Sequence, residues 1–230
     1  MQGTDVHTVL KRIGATHVHH ANSVRTSSTF LEQGGLLSRG FVEVNGLKQT
    51  AQSSDEIDKK YGIWHSVFVD HVDIHDRGGR KKGPNQYGPV LFQFDVDILL
   101  GLPTGTEVHV TKLNPVRWYD SLPDDKRWFQ SVEELSTSIS FGDFDKMLVI
   151  QTPLGKLDFP NRQARTILDD PQRRFSADED VYAHAENRLK AAATVGQIEA
   201  SIEPRKCQSG CICIEKYAKY TSQQMDFWFT

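Results

Sequence analysis

"THVHHANSVRTSSTFLEQGGLLSRG", residues 16–40, is the stretch on which the reading of this chain turns. Three histidines, His17, His19 and His20, stand within four positions of a short run, 13–20, that reads as a β-strand. Side chains alternate between the two faces of a strand, so His17 and His19 share one face and His20 takes the other. The segment "SSTFLEQGG" then reads as a helix stopped at Gly34 and Gly35, because glycine is favoured just past a helix C-terminus. Arg39 follows this stop.

The bulk properties narrow the class. With 230 residues, 38% hydrophobic and 25% charged, the chain suffices for one large or two small globular domains. A core of this size is stable without disulfides. A formal net charge of −3 sets up no global field for nucleic acid, which leaves that role to local basic patches. No apolar run reaches the roughly 18 residues of a membrane span. The segment "MQGTDVHTVLKRIGAT" lacks a leader-like apolar core, so a cytoplasmic location is expected. Cys207, Cys211 and Cys213 fall within seven residues, a pattern suited to a metal or thiol cluster rather than to a disulfide framework.

Further elements follow from pattern. "SSDEIDKKYG" predicts a polar surface turn of helix, and "IWHSVFV" (63–69) a strand. The Gly-, Pro- and cation-rich 76–88 predicts an exposed loop. "PVLFQFDVDILL" predicts a strand running into a helical turn, "EVHVTKL" a strand and "SVEELSTS" a helix. "KMLVIQT" and "GKLDF" predict a hairpin about Pro153–Gly155. Ser176 and Glu179 form a capping-box pattern before a helix that Gly196 ends. "QIEASIE" predicts a last strand. Strands mixed with short helices give an α+β class. The chain reads as a single domain, 1–230, with 176–230 a possible C-terminal subregion.

The run "HVHHANSV…FLEQGGLLSR" resembles the opening of the DarT-like ADP-ribosyltransferases, in which a His-x-Thr-His strand leads into a short helix and a Gly-Gly-Leu turn. His17 matches the first histidine, His20 the second, and Gly34, Gly35 and Leu36 the turn. His19 stands where that family has threonine, and the helix is about three residues longer. The resemblance implies a split β-sheet core with short helices, a C-terminal helix-containing extension, and NAD in the cleft between two small sheets. It further implies that His17 binds a ribose and contributes to catalysis, with His19, Asn22 and Gly35 beside the cofactor. Tyr87, just before a strand, becomes the ring that stacks on nicotinamide. Arg39 or Arg77 binds the pyrophosphate, for which a guanidinium fork suits two oxygens, and Arg80 is the alternative. In the family a glutamate opens a late strand. Here the segment reads "DFDKMLVI", with Lys146 at that position, and a one-residue bulge makes Asp145 the candidate acid. Glu133 and Glu134 are the reserves.

Two other constellations carry chemistry. In "VFVDHVDIHDRGGR", Asp70, His71, Asp73, His75 and Asp76 form an oxygen- and nitrogen-rich rim that suits a metal and, with it, a nuclease. "HAENRL" followed by "CQSGCIC" partly matches the His-x-Glu and paired cysteines of zinc nucleobase deaminases. There His184, Cys207, Cys211 and Cys213 are the candidate zinc ligands, catalytic with Glu186 as proton carrier or structural. Basic residues lie beside rings at Lys126–Phe129, with further patches at 77–82 and 173–174, a combination that suits single-stranded nucleic acid.

The expectation is therefore an NAD-dependent ADP-ribosyltransferase that modifies DNA or RNA. A role as a toxin or phage-defence effector, with an antitoxin protein as partner, comes by analogy. The alternatives are a zinc-dependent nucleic-acid enzyme, deaminase or nuclease, and a non-catalytic nucleic-acid-binding relative.

Overall fold

A computed structural model describes residues 1–76, 83–143, 145–207 and 209–230. Arg77, Arg80, Lys81 and Lys82 lie outside the described residues. The elements run α1 (Gly3–Arg12), β1 (His17–Asn22), α2 (Val24–Gln33), β2 (Gly35–Leu37), α3 (Arg39–Val44), α4 (Asp55–Lys60) and β3 (Val67–Val69). They continue with β4 (Val90–Asp95), β5 (Glu107–Val110), α5 (Asp124–Arg127), α6 (Val132–Ser138), β6 (Leu148–Gln151), β7 (Lys156–Asp158) and β8 (Gln163–Leu168). The last are α7 (Val181–Gly196), β9 (Glu199–Pro204), α8 (Cys213–Ala218) and α9 (Ser222–Phe229).

The fold is α+β and its sheet is split. One sheet has the order β1-β4-β8-β9, a second β3-β6-β5, and β2 pairs with β7 alone. β8 and β9 are parallel, so the chain must cross over between them, and α7 is that crossover. The two larger sheets meet where His19 on β1 exchanges backbone hydrogen bonds with Asp70, one residue past β3. The core is built on aromatic rings: Phe92 on β4 lies 6.2 Å from Phe30 of α2 and 5.5 Å from Phe159.

Several predicted features change. The 146–159 hairpin does not form: β6 pairs with β3 and β5, whereas β7 pairs with β2, so the turn at 153–155 carries the chain between sheets. The Ser176–Glu179 box is replaced by Asp180, whose side chain accepts from the Ala183 amide, and the Glu179 carboxylate is engaged by His184. Several elements, α1, β8 and α9 among them, have no counterpart in the pattern reading. α1 buries Val6, Val9 and Leu10 at helical spacing, β8 buries alternate residues Ala164, Thr166 and Leu168, and α9 carries a Thr221–Gln224 capping box.

α7 ends at Gly196 as its last helical residue, and Gln197 rather than this glycine takes the left-handed cap at φ 53°. The glycine's role is proximity: a Cβ at Gly196 would collide with the carbonyl oxygen of Leu31 on α2. Gly196→Ala is expected to destabilise the fold by about 1–3 kcal/mol by overpacking, although alanine is the better helix former. Urea denaturation of the two proteins checks this.

Candidate active site

One cleft collects residues from both sheets and the loops between them. Its walls are His20, Ala21 and Asn22 of β1, Phe30, Leu37, Arg39, and Ser54 and Asp58 about α4. The opposite side is Phe68 and Asp70 at the end of β3, then Tyr87, Asn114–Val116 and Met147. The interior cavity is about 70 Å³ and widens to about 700 Å³ with its open mouth included. A concave, largely apolar cleft with few converging polar groups is the usual form of a small-molecule site.

His20 is the strand histidine that faces this cleft. Its Nδ1 lies 2.7 Å from the Phe68 carbonyl oxygen, and a carbonyl can only accept, so Nδ1 carries the proton. Nε2 is then the acceptor, 3.4 Å from the Asn22 side-chain amide. Burial drives the His20 pKa down to about 4, so the ring is neutral at pH 7 and presents a lone pair. Asn22, 3% exposed, accepts from the Ser23 amide, and Ser23 caps α2 by accepting from Thr26.

Arg39, the first residue of α3, is buried in the cleft wall. Its Nη1 donates to the Thr50 carbonyl at 2.8 Å and its Nη2 to Asp55 at 2.5 Å. Nε is buried and has no protein partner. Tyr87 is set by an Asx turn in which its amide donates to Asn85, and its hydroxyl accepts from Asn114 at 3.3 Å. Gly88, next to it, has φ 142°, and a Cβ there would strike the backbone of Asn22 and Ser23. Only glycine lets the Tyr87 turn close on the end of β1.

Two carboxyls lie in the cleft. Burial raises the Asp70 pKa to about 8, with the Asp73 charge adding to it, and Asp70 Oδ1 is buried without a partner. Burial raises Asp58 to about 7, with Asp55 adding to it. A carboxyl shifted by desolvation and aimed into a cleft marks a candidate functional acid. Neither acid stood out as catalytic in the sequence, because the signal is burial. Asp58 lies in a segment whose polarity predicts a surface turn, yet it is only 6% exposed.

The other sequence candidates lie elsewhere. His17 is half-buried on the opposite face of β1, its Nδ1 2.8 Å from the Thr16 hydroxyl. His19 is buried beside Gln93, and burial lowers its pKa to about 4. Gly35 approaches Leu157 on β7 and does not line the cleft. Asp145 is outside the lining and pairs with Arg117 at 3.2 Å. It stands in a turn three residues before β6, so no strand register directs its carboxyl. Glu134 pairs with Lys112, and neither it nor Glu133 lines the cleft. Among the described residues the Asp70–Asp76 rim forms no metal cluster of its own. β3 stops at Val69, and His71 faces the carbonyls of Lys146 and Ser140.

The deaminase-like constellation does not assemble. His184 lies 2.7 Å from Glu179, with its ring edge-on to Phe175, and Glu186 pairs with Lys190. The cysteines instead converge on His75. The basic–aromatic stretch folds inward: Arg127 stacks on Tyr61 at 4.6 Å, and Trp128 meets Trp118 at 4.8 Å. Arg173 donates to the carbonyls of Tyr217 and Tyr220 and so holds the C-terminal helices.

The split sheet defines an α+β protein with a cleft between two sheets. No family model matches the chain, and no curated protein does. Among solved structures it is similar to Thermus sp. 2.9 DarT in complex with ADP-ribosylated ssDNA, at a TM-score of 0.48 and 12% identity over 84% of this chain and 95% of that one. It is likewise similar to Thermus sp. 2.9 DarT in complex with NAD+, at a TM-score of 0.45 and 11% identity over 84% and 96%. No helix among the described residues is long and apolar enough to cross a membrane.

Proposed function

We propose that the cleft binds NAD and that the chain is an ADP-ribosyltransferase acting on nucleic acid. One observation carries the reading. His20, Asn22 and Arg39, all from the segment that resembles the transferase opening, share one cleft with Tyr87, which is distant in sequence, and with a desolvated acid, Asp70.

The assigned roles follow from the atoms. The Nε2 lone pair of His20, which in the cleft faces the Asn22 side-chain amide, accepts a ribose hydroxyl, and that amide stands beside it. Arg39 Nε, the buried donor without a protein partner, donates to a pyrophosphate oxygen. The Tyr87 ring flanks nicotinamide. In the reaction the bond from ribose C1′ to the nicotinamide nitrogen breaks, and its electron pair leaves with nicotinamide. Positive charge then spreads over C1′ and the ring oxygen, as in glycoside cleavage. Asp70 in its ionised form stabilises that charge and takes the proton that the acceptor loses on bonding to C1′. The pyridinium of bound NAD brings a positive charge that favours this ionised form. A toxin role and a neutralising antitoxin partner belong to the same reading.

The test uses NAD labelled on its adenylate phosphate. Thermus sp. 2.9 DarT has been found with ADP-ribosylated ssDNA, which makes single-stranded DNA the first acceptor to try, with RNA beside it. Label transferred by the native chain, reduced at least about tenfold in His20→Ala and retained in His17→Ala, is the expected result. NAD binding without transfer or nicotinamide release would point to a non-catalytic relative, and absence of NAD binding would sink the proposal.

A further inference from the structure

Outside the residues that line the cleft, three thiols and one imidazole converge. His75 Nε2 lies 3.3 Å from Cys211 Sγ and 3.8 Å from Cys207 Sγ, and Cys207 Sγ lies 3.2 Å from Cys213 Sγ. All four ligand atoms fall within 4.8 Å of one another. Zinc bonds of about 2.3 Å to sulfur and 2.0–2.1 Å to nitrogen, arranged tetrahedrally, place ligand atoms about 3.5–4 Å apart. The four groups already stand near that spacing.

The surroundings support the same assignment. The Cys213 amide donates to Cys211 Sγ at 3.4 Å, the kind of outer bond that steadies a thiolate ligand. The His75 amide donates to Asp73 Oδ1, and Asp73 is in turn held by Arg205 at 2.6 Å, so the turn that presents His75 is braced. His75 and Cys213 are buried, Cys211 is half-buried and Cys207 exposed, so an ion can enter from one side.

We infer that His75, Cys207, Cys211 and Cys213 bind one zinc-like divalent ion in a closed Cys3His site. Three thiolates and one imidazole select a soft or borderline ion, and four protein ligands leave no open position for substrate. The site is therefore structural. It joins two segments more than 130 residues apart. One is the turn after β3, five residues beyond the cleft acid Asp70. The other is the loop that leads into α8. Bound metal thus fastens the C-terminal helices to the wall of the cleft. The inference stands whether or not the transferase reading holds, because its readouts are metal content and spectrum.

The experiment begins with metal analysis of the purified full chain, and about one zinc per chain is expected. Replacement by cobalt(II) is expected to give thiolate-to-cobalt charge-transfer bands and tetrahedral visible bands. Cys207→Ser, Cys211→Ser and Cys213→Ser each lower the charge-transfer intensity by about a third, because each removes one of three thiolates. His75→Ala loses tight binding, whereas His184→Ala retains it. If a variant does not fold, removal of metal from the native chain with a chelator and its return give the same spectrum independently. Metal-free protein is also expected to be cut by protease within 205–213 much faster than the loaded protein. Three titratable thiols with no metal, a Cys207–Cys213 disulfide, or full cobalt binding in His75→Ala would each overturn the site.

Discussion

Asp70→Asn is expected to lower kcat/KM for NAD by at least about 100-fold while making the fold more stable above neutral pH. Both effects come from one cause, the burial of an ionisable group beside the cleft. The folded-state pKa of Asp70 is about 8, against 3.8 for the free side chain. Below pH 4 the carboxyl is neutral in both the folded and unfolded states, and its burial carries no ionic penalty. As pH rises from about 4 to about 8 the unfolded chain ionises first, and the native protein loses stability through this group. Asparagine does not titrate, so the variant avoids that loss. At one pKa unit per 1.36 kcal/mol, the difference grows to as much as about 6 kcal/mol by pH 9 and vanishes by pH 3. Thermal melts of both proteins across this range measure it. On the proposed transferase reading, in which the ionised carboxyl is the working form, the native protein should also show a kcat/KM that rises with pH through about 8. A fully active Asp70→Asn protein would move the acid to Asp58 or Asp145. An unchanged melting profile would mean that Asp70 is not desolvated.

Arg205→Ala is expected to cost about 3–5 kcal/mol, a fall in Tm of about 6–20 °C for a chain of this size. Arg205 is 5% exposed and donates to Asp73 and to Asp169, whose side chains are 14% and 2% exposed. Tyr217 donates to the second oxygen of Asp169 at 2.6 Å, so β8, β9, α8 and the turn after β3 share one buried polar network. Removing the guanidinium leaves two acids without their cation, and removal of one partner is what makes a buried pair expensive. A compensated variant, Arg205→Met with Asp73→Asn and Asp169→Asn, should recover most of the loss. Denaturation of the two variants beside the native protein decides this, and a loss below about 1 kcal/mol in Arg205→Ala would show that the network is not holding the C-terminal segment.

The histidine stretch shows how far sequence reading reaches. The strand, the helix after it and the stop at Gly34 are local features, set by alternation, capping and the left-handed freedom of glycine, and each is present. Which strand face meets the cleft is not local. Alternation separates His20 from His17 and His19 but does not say which side the second sheet will cover. The pairing of His19 with Asp70 decides that, and it joins residues 51 positions apart. The hairpin expected at 146–159 failed for the same reason: adjacent strands with a good turn between them went to different sheets, because β3, β5 and β2 offered the partners.

By itself, the sequence determined the α+β class, the order of most strands and helices, and the clustering of three cysteines. These depend on period, propensity and spacing along the chain, and the chain carries them wherever it folds. Tertiary structure alone decided that His20 rather than His17 faces the cleft, that Asp58 and Asp70 are buried acids, and that His75 rather than His184 completes the cysteine cluster. Each depends on which distant segments exclude water from a side chain or bring a ligand within reach, and burial and long-range contact leave no mark in local spacing.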